Sequence, residues 1–261
     1  MKLKTSQSLA VLALALSGGA FAQTAAPAAA PAAAPEPEYT IAYNLGAVTE
    51  YRYRGISQSS RKPALQGGVD YTNKNGVYLG TWLSTISWIK NASSPTVAKG
   101  PVEWDLYGGY KGDIAKDFSY DVGGLYYFYP TNTNTKNGGV NANTFEVYGA
   151  LTYNIVTAKY SRSTTNLFGT PNSSGSGYLD LSANFDLGSG WSIVPHYGHQ
   201  SIKNGTPSSY SDYSFTVAKD FDGLVVSAAL IGTNKGGQFI EAASGKDLFK
   251  SSLVLGIKKN F

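Results

Sequence analysis

Leu253 Val254 Leu255 Gly256 Ile257 Lys258 Lys259 Asn260 Phe261 ends the chain with an apolar residue at every second position except Lys259, and its last residue is aromatic. Successive side chains of a strand point to opposite faces, so Leu253, Leu255, Ile257 and Phe261 share one apolar face. The same rhythm returns upstream. In residues 144–153, Phe145, Val147, Leu151 and Tyr153 oppose Glu146, Tyr148 and Thr152; in 178–187, Leu179, Leu181, Ala183, Phe185 and Leu187 oppose Asp180, Ser182, Asn184 and Asp186. From Tyr39 onward no helical periodicity interrupts this pattern, and Tyr (19) and Gly (30) are abundant. The chain reads as all-β.

Twelve alternating segments are expected, near 40–57, 63–73, 76–89, 102–112, 118–130, 144–153, 155–165, 177–187, 191–202, 211–221, 223–232 and 248–261. Brief connections at 73–76, 113–117, 154, 188–190 and 220–223 alternate with longer polar ones near 58–62, 90–101, 131–143, 166–176, 203–210 and 233–247. An even strand count with turns of alternating length is the layout of a transmembrane antiparallel up-and-down β-barrel, short turns facing the periplasm and long loops outward. A soluble β-sandwich has similar strand spacing, but its outer face should be charged rather than Leu, Val, Phe and Trp. The barrel is therefore assigned to 39–261. Tyr51, Tyr53, Trp88, Trp104, Tyr126, Phe128, Trp191, Tyr197 and Phe221 lie near segment ends, where interfacial aromatic girdles are expected. Phe261 is expected at the periplasmic rim, where, with Ile257 and Leu255, it forms an outer-membrane assembly signal, and Lys259 becomes an interfacial charge.

The opposite end carries Lys2 and Lys4, an apolar run from Leu9 to Leu16, and small residues up to Ala22. This reads as a signal peptide, 1–22, cleaved after Ala22 and followed by an Ala- and Pro-rich periplasmic tether over 23–38. The apolar run is too short to span a bilayer as a helix. Cleavage removes two lysines and brings the chain closer to neutrality, so its basic balance points to no nucleic-acid partner. With no cysteine, disulfides and thiol chemistry are excluded, and Gln23 after the cleavage site excludes a lipoprotein.

If Ile41, Tyr43, Leu45, Tyr51 and Tyr53 face lipid, parity sends Asn44, Glu50, Arg52 and Arg54 inward. By the same rule Glu103, Asp105, Asp121, Glu146, Lys159, Asp180 and Asp186 face a lumen that about twelve strands leave narrow. Such charges set ion preference if the lumen is open, and plug it if they pair across. Inward Ser, Thr, Asn and Gly favour the open form. Arg162 falls on the lipid face with Val156, Ala158 and Tyr160, at the height of lipopolysaccharide phosphates.

Catalysis finds little support. The two histidines, His196 and His199, are three apart on one strand and so on opposite faces, unable to share a metal. A Ser–His hydrolase using His196 has no nucleophile-elbow motif to go with it, and zinc spacings, calcium loops and phosphate-binding glycine loops are missing from the sequence. No cofactor is implied.

One stretch carries a resemblance. Tyr53, Arg54, Gly55, Ile56, Ser57 and Gln58, then Pro63, Ala64, Gln66, Gly67, Asp70 and Tyr71, then Gly80, Thr81 and Trp82 match the successive segments of the TorF-type porin family. The match covers about thirty residues; the Ala- and Pro-rich tether departs from the family's pattern. The resemblance implies an outer-membrane location and passive transport, with no substrate to carry over. The expected function is thus a porin for small hydrophilic solutes or ions, with a non-conducting structural or adhesive barrel as the alternative. The expected partners are outer-membrane lipid and lipopolysaccharide, the barrel assembly machinery, the solutes and, for a homo-oligomer, further copies of the chain.

Overall fold

The computed structural model describes residues 37–92, 100–132, 135 and 139–261. The leader assigned to 1–22 and nearly all of the tether assigned to 23–38 lie outside the described residues. The rest is one closed antiparallel barrel of twelve strands: β1 Tyr39–Val48, β2 Ala64–Asn73, β3 Val77–Thr85, β4 Val102–Ala115, β5 Phe118–Phe128, β6 Thr144–Tyr153, β7 Val156–Ser163, β8 Gly177–Ala183 resuming as Phe185–Gly188, β9 Trp191–Ser201, β10 Ser209–Phe221, β11 Leu224–Thr233 and β12 Ser252–Asn260. Each strand pairs with its chain neighbour, and β12 returns to β1 with Asn44 opposite Asn260 and Val48 opposite Gly256. Phe261 forms the last rung of that seam, its N–H donating to the Tyr43 carbonyl at 2.9 Å.

Tight turns close the end where both Tyr39 and Phe261 lie. Ser189–Gly190 and Asp222–Gly223 have positive φ at both positions, the two-residue geometry that matches the right-handed twist of a hairpin. Lys259, the break in the apolar rhythm of β12, donates to the Asp222 carbonyl at 3.0 Å and so belongs to this turn layer.

The alternation sorts side chains as the sequence predicts along most strands. Tyr43, Leu45, Leu79, Leu106, Val147, Leu151, Leu230, Leu255 and Ile257 lie exposed on the outer wall, and Phe261 is 71% exposed. So large an apolar surface suits hydrocarbon rather than water. Trp191 and Phe221 also face outward near the turn end, with the Lys219 ammonium 5.4 and 5.5 Å from their ring centres. Asp186 keeps its inward parity, opposite the buried Ser192, past a break in the strand at Asn184, but it lies at the turn rim, where it is exposed rather than enclosed and accepts the Gly188 N–H at 2.8 Å.

Two further differences lie at the long-loop end. The segment expected as a strand over 40–57 stops at Val48, and Tyr51 and Tyr53, assigned to the lipid face, are 3% and 8% exposed. The segment 76–89 stops at Thr85 and is followed by a short helix, Trp88–Ala92. The buried apolar cluster therefore sits inside the barrel's loop end, made of Tyr51, Tyr53, Trp82, Ile86, Ile89, Leu125, Tyr127 and Tyr129.

Glycines within the wall receive aromatic rings. A Cβ on Gly80 would collide with the Tyr107 ring, one on Gly109 with the Tyr78 ring and the Val122 carbonyl, and one on Gly123 would lie 2.6 Å from Tyr148 Oη. In the register Tyr107 is opposite Gly80, Tyr78 opposite Gly109 and Tyr148 opposite Gly123. Each inward tyrosine thus folds over a neighbouring glycine, so these glycines seat rings rather than leave open lumen. Gly149, on the outer face, has only Val122 Cγ1 at 3.9 Å. Gly109→Ala should therefore lower unfolding free energy by ~1–3 kcal/mol, the usual range for overpacking. Gly149→Ala should stay within about 1 kcal/mol of the unaltered chain. Urea titration of protein refolded into lipid vesicles measures both.

Candidate channel interior and its inward hairpin

After Val48 the chain turns into the barrel. Arg52–Tyr53 pairs with Ile56–Ser57, and the two residues between, Arg54 and Gly55, have φ of 46° and 78°. This is a two-residue hairpin of the kind X-Gly favours, and its tip lies in the barrel interior. A Cβ on Gly55 would come within 2.6 Å of both Asp212 Cβ and Thr233 Cγ2, so only glycine lets the tip approach β10 and β11 so closely.

Arg54 anchors the tip. Its guanidinium donates to Glu146 Oε1 at 3.0 Å and Oε2 at 2.6 Å from β6, and to Gln200 Oε1 at 2.6 Å from β9. It also stacks 4.2 Å from the Tyr178 ring of β8. The Gln200 amide is oriented for this by its own donation to Gly177 and Ser201 carbonyls at 2.9 and 3.1 Å. Burial lowers the pKa of the Arg54 side chain, but the facing Glu146 carboxylate more than offsets this and raises it above its ordinary value. Arg52 is lowered, chiefly by burial. Neither change deprotonates an arginine near neutrality.

The rest of the hairpin is tied on all sides. Tyr51 Oη donates to Glu103 of β4 at 2.8 Å, and Tyr53 and Tyr127 hydroxyls are 2.6 Å apart. Arg52 does not line the wall. It pairs with Glu50 at 2.9 Å and donates to the Gly55 and Lys250 carbonyls, both at 2.7 Å. Ser60 joins the neighbouring loops by donating to Glu241 at 2.8 Å and accepting from Asn91 at 2.6 Å. The segment thus spans the interior from β4 and β5 on one side to β9, β10 and β11 on the other.

The wall charges named from parity all point inside. Glu103, Asp105 and Glu146 are each 2% exposed, and Asp180 is 6% exposed. Asp121 accepts from Tyr78 at 2.6 Å, and Lys159 lies 3.9 Å from the centre of the Tyr148 ring. Asp105 Oδ1 is buried with no hydrogen-bond partner among the described residues. The register links Lys111, Asp121, Ala150, Lys159, Asp180, Gly198 and Asp212 as successive partners across β4 to β10. Charges of opposite sign thus alternate along much of this oblique row. Parity did not bring forward Lys111, Asp212, or Asp70, which accepts from Tyr107 at 2.5 Å.

His196 and His199 do fall on opposite faces. His196 is held inside by Asp180 at 3.2 Å, Asp212 at 3.7 Å and Tyr178 at 3.3 Å. His199 faces outward and meets Ser211 Oγ at 3.0 Å, with Tyr197 Oη 2.9 Å from the same oxygen. Arg162 is exposed on the outer wall beside the Gly175 loop, as its parity requires.

The closed antiparallel barrel is similar in fold to two solved porins. The KdgM porin aligns over 85% of this chain and 98% of its own at a TM-score of 0.54 with 8% identity. The NanC porin aligns over 85% and 99%, also at 0.54, with 12% identity. At these identities the likeness is one of fold. No curated protein sequence matches the chain. Residues 32–261 match the bacterial family Gcw_chp, described as of unknown function, and the chain belongs to that family.

Arg54 and Glu146 supply a direct test of the anchor. Arg54→Met alone leaves a buried carboxylate unpaired and should destabilise by ~3–5 kcal/mol, whereas adding Glu146→Leu should recover most of that loss. The comparison is the urea midpoint of the two variants in vesicles.

Proposed function

We propose that this chain is an outer-membrane channel of the TorF porin type, through which small hydrophilic solutes diffuse passively. The observation that carries the reading is the sorted wall: apolar side chains outside and opposed charges inside a closed barrel. A membrane-spanning barrel needs that outside, and an aqueous path needs that inside. The porin names of KdgM and NanC support the same reading.

Arg54, Glu103, Asp105, Asp121, Glu146, Lys159 and Asp180 line the path in this proposal, with Arg52 acting through the hairpin's shape. Alternating signs on the wall polarise a passing solute without building a strong field of one sign, so neutral or zwitterionic solutes pass with weak ion preference. Signal cleavage after Ala22 delivers the chain to the periplasm. Phe261, Ile257 and Leu255 present the final strand to the barrel assembly machinery, and Arg162 meets lipopolysaccharide phosphates. No enzymatic step is included.

A second reading, a non-conducting structural barrel, is favoured by one feature, the hairpin held across the interior by Arg54. Single-channel recording in planar bilayers separates the two. The unaltered chain should give small discrete steps, and replacing residues 50–61 by a Gly–Ser linker should raise conductance several-fold. A folded, heat-modifiable barrel silent in both forms decides for the structural reading.

A further inference from the structure

Above the inward hairpin, the long-loop end holds a cavity of about 420 Å³. Its floor is the hairpin itself, with Tyr53 and Gln200, and its sides come from the Trp88–Ala92 helix, the loop at 167–170 and the segment at 239–249. The volume falls within the range of small-molecule sites.

The lining has a distinct chemistry. Phe239 and Phe249 stack with centroids 4.5 Å apart, Tyr210 meets Phe249 edge-on at 5.5 Å, and Trp88 meets Tyr129 edge-on at 5.4 Å. Phe168 packs edge-on against Tyr53 at 5.5 Å, so rings meet an occupant from several directions. Among the described residues that line it there is no lysine or arginine. The one acid among them, Glu241, accepts from Ser60 and from Ser244, which leaves it a fixed structural group. From these residues an anion would meet no cation and one carboxylate.

We propose that this cavity binds a small neutral aromatic molecule, its ring packed among the aromatic side chains. An offset or edge-on ring gains from the quadrupoles of the surrounding rings beyond simple burial. Because Tyr53 and Gln200 belong both to this cavity and to the contacts around Arg54, the molecule would rest on the hairpin before passing it. That onward passage rests on the channel reading; the binding does not.

The test uses the full mature chain refolded into nanodiscs, with calorimetric titration of benzamide, benzoate and glucose. Benzamide supplies a neutral ring and a carbonyl acceptor, benzoate the same ring with a charge, and glucose a neutral polar ring without aromaticity. Benzamide should bind saturably, benzoate about tenfold more weakly or worse, and glucose not at all. Ala242→Phe, at an exposed lining residue, should fill the cavity and abolish binding. Heat-modifiable migration checks that the variant folds, and if it does not, the benzoate and glucose comparisons on the unaltered chain carry the test. No benzamide binding to the folded barrel, binding undiminished by Ala242→Phe, or equal binding of benzoate or glucose would each overturn the proposal. No current is measured in this experiment, so its failure leaves the channel reading standing, and a silent barrel in the bilayer leaves the binding site standing.

Discussion

Closure of the sheet at the seam between β1 and β12 is the constraint on which the molecule depends. In hydrocarbon no water is available to an unpaired N–H or C=O, so an open edge is not tolerated. The seam satisfies it down to the last residue, with the Phe261 N–H on the Tyr43 carbonyl. Once the ring is closed, each wall residue has an inside or an outside, and the period of two distributes the rest. Tyr43, Leu45, Leu255 and Ile257 go outward from the seam strands while Asn44 and Lys258 go inward.

Inside, the barrel departs from an empty pipe in two ways. The hairpin at Arg54–Gly55 fills the loop end and carries the largest buried apolar cluster, so the protein's core lies within the ring. Toward the turn end, tyrosines bridge between strands through carboxylates: Tyr107 to Asp70, and Tyr78 to Asp121 and to Tyr148. Burying Arg54 is tolerable because Glu146 meets it with two oxygens and Gln200 and Tyr178 cover what remains. A lone guanidinium there would face a desolvation cost of several kcal/mol.

The strand count, the alternating turns and the inward charges on β4 to β8 were legible because each rests on a local signal: period two, a turn residue, a loop composition. The hairpin was not. Tyr51 Arg52 Tyr53 Arg54 alternates ring and charge as a strand does, and parity alone sends the rings to lipid. The informative signal was Gly55 after Arg54, a two-residue turn signature where a strand was expected to continue. It was outweighed because nothing local says that a hairpin will fold inward; that depends on Glu146 and Gln200, 92 and 146 residues away. The short helix was missed for a similar reason. Five residues are too few to show a period, and Ile89 is buried by packing inside the barrel's loop end. The lumen glycines were legible as wall positions, but their partners across the strand were not.

Those partners impose a rule of substitution on the wall. A tyrosine folded onto the glycine of the next strand is half of a two-residue unit: enlarge the glycine alone and the ring has nowhere to lie, shrink the tyrosine alone and a gap opens beside a hydroxyl network. Tyr107 with Gly80, Tyr78 with Gly109 and Tyr148 with Gly123 can therefore drift over evolutionary time only as couples. Within this family such positions should vary in step, so covariation across the sheet would report the strand register even where sequence identity no longer does.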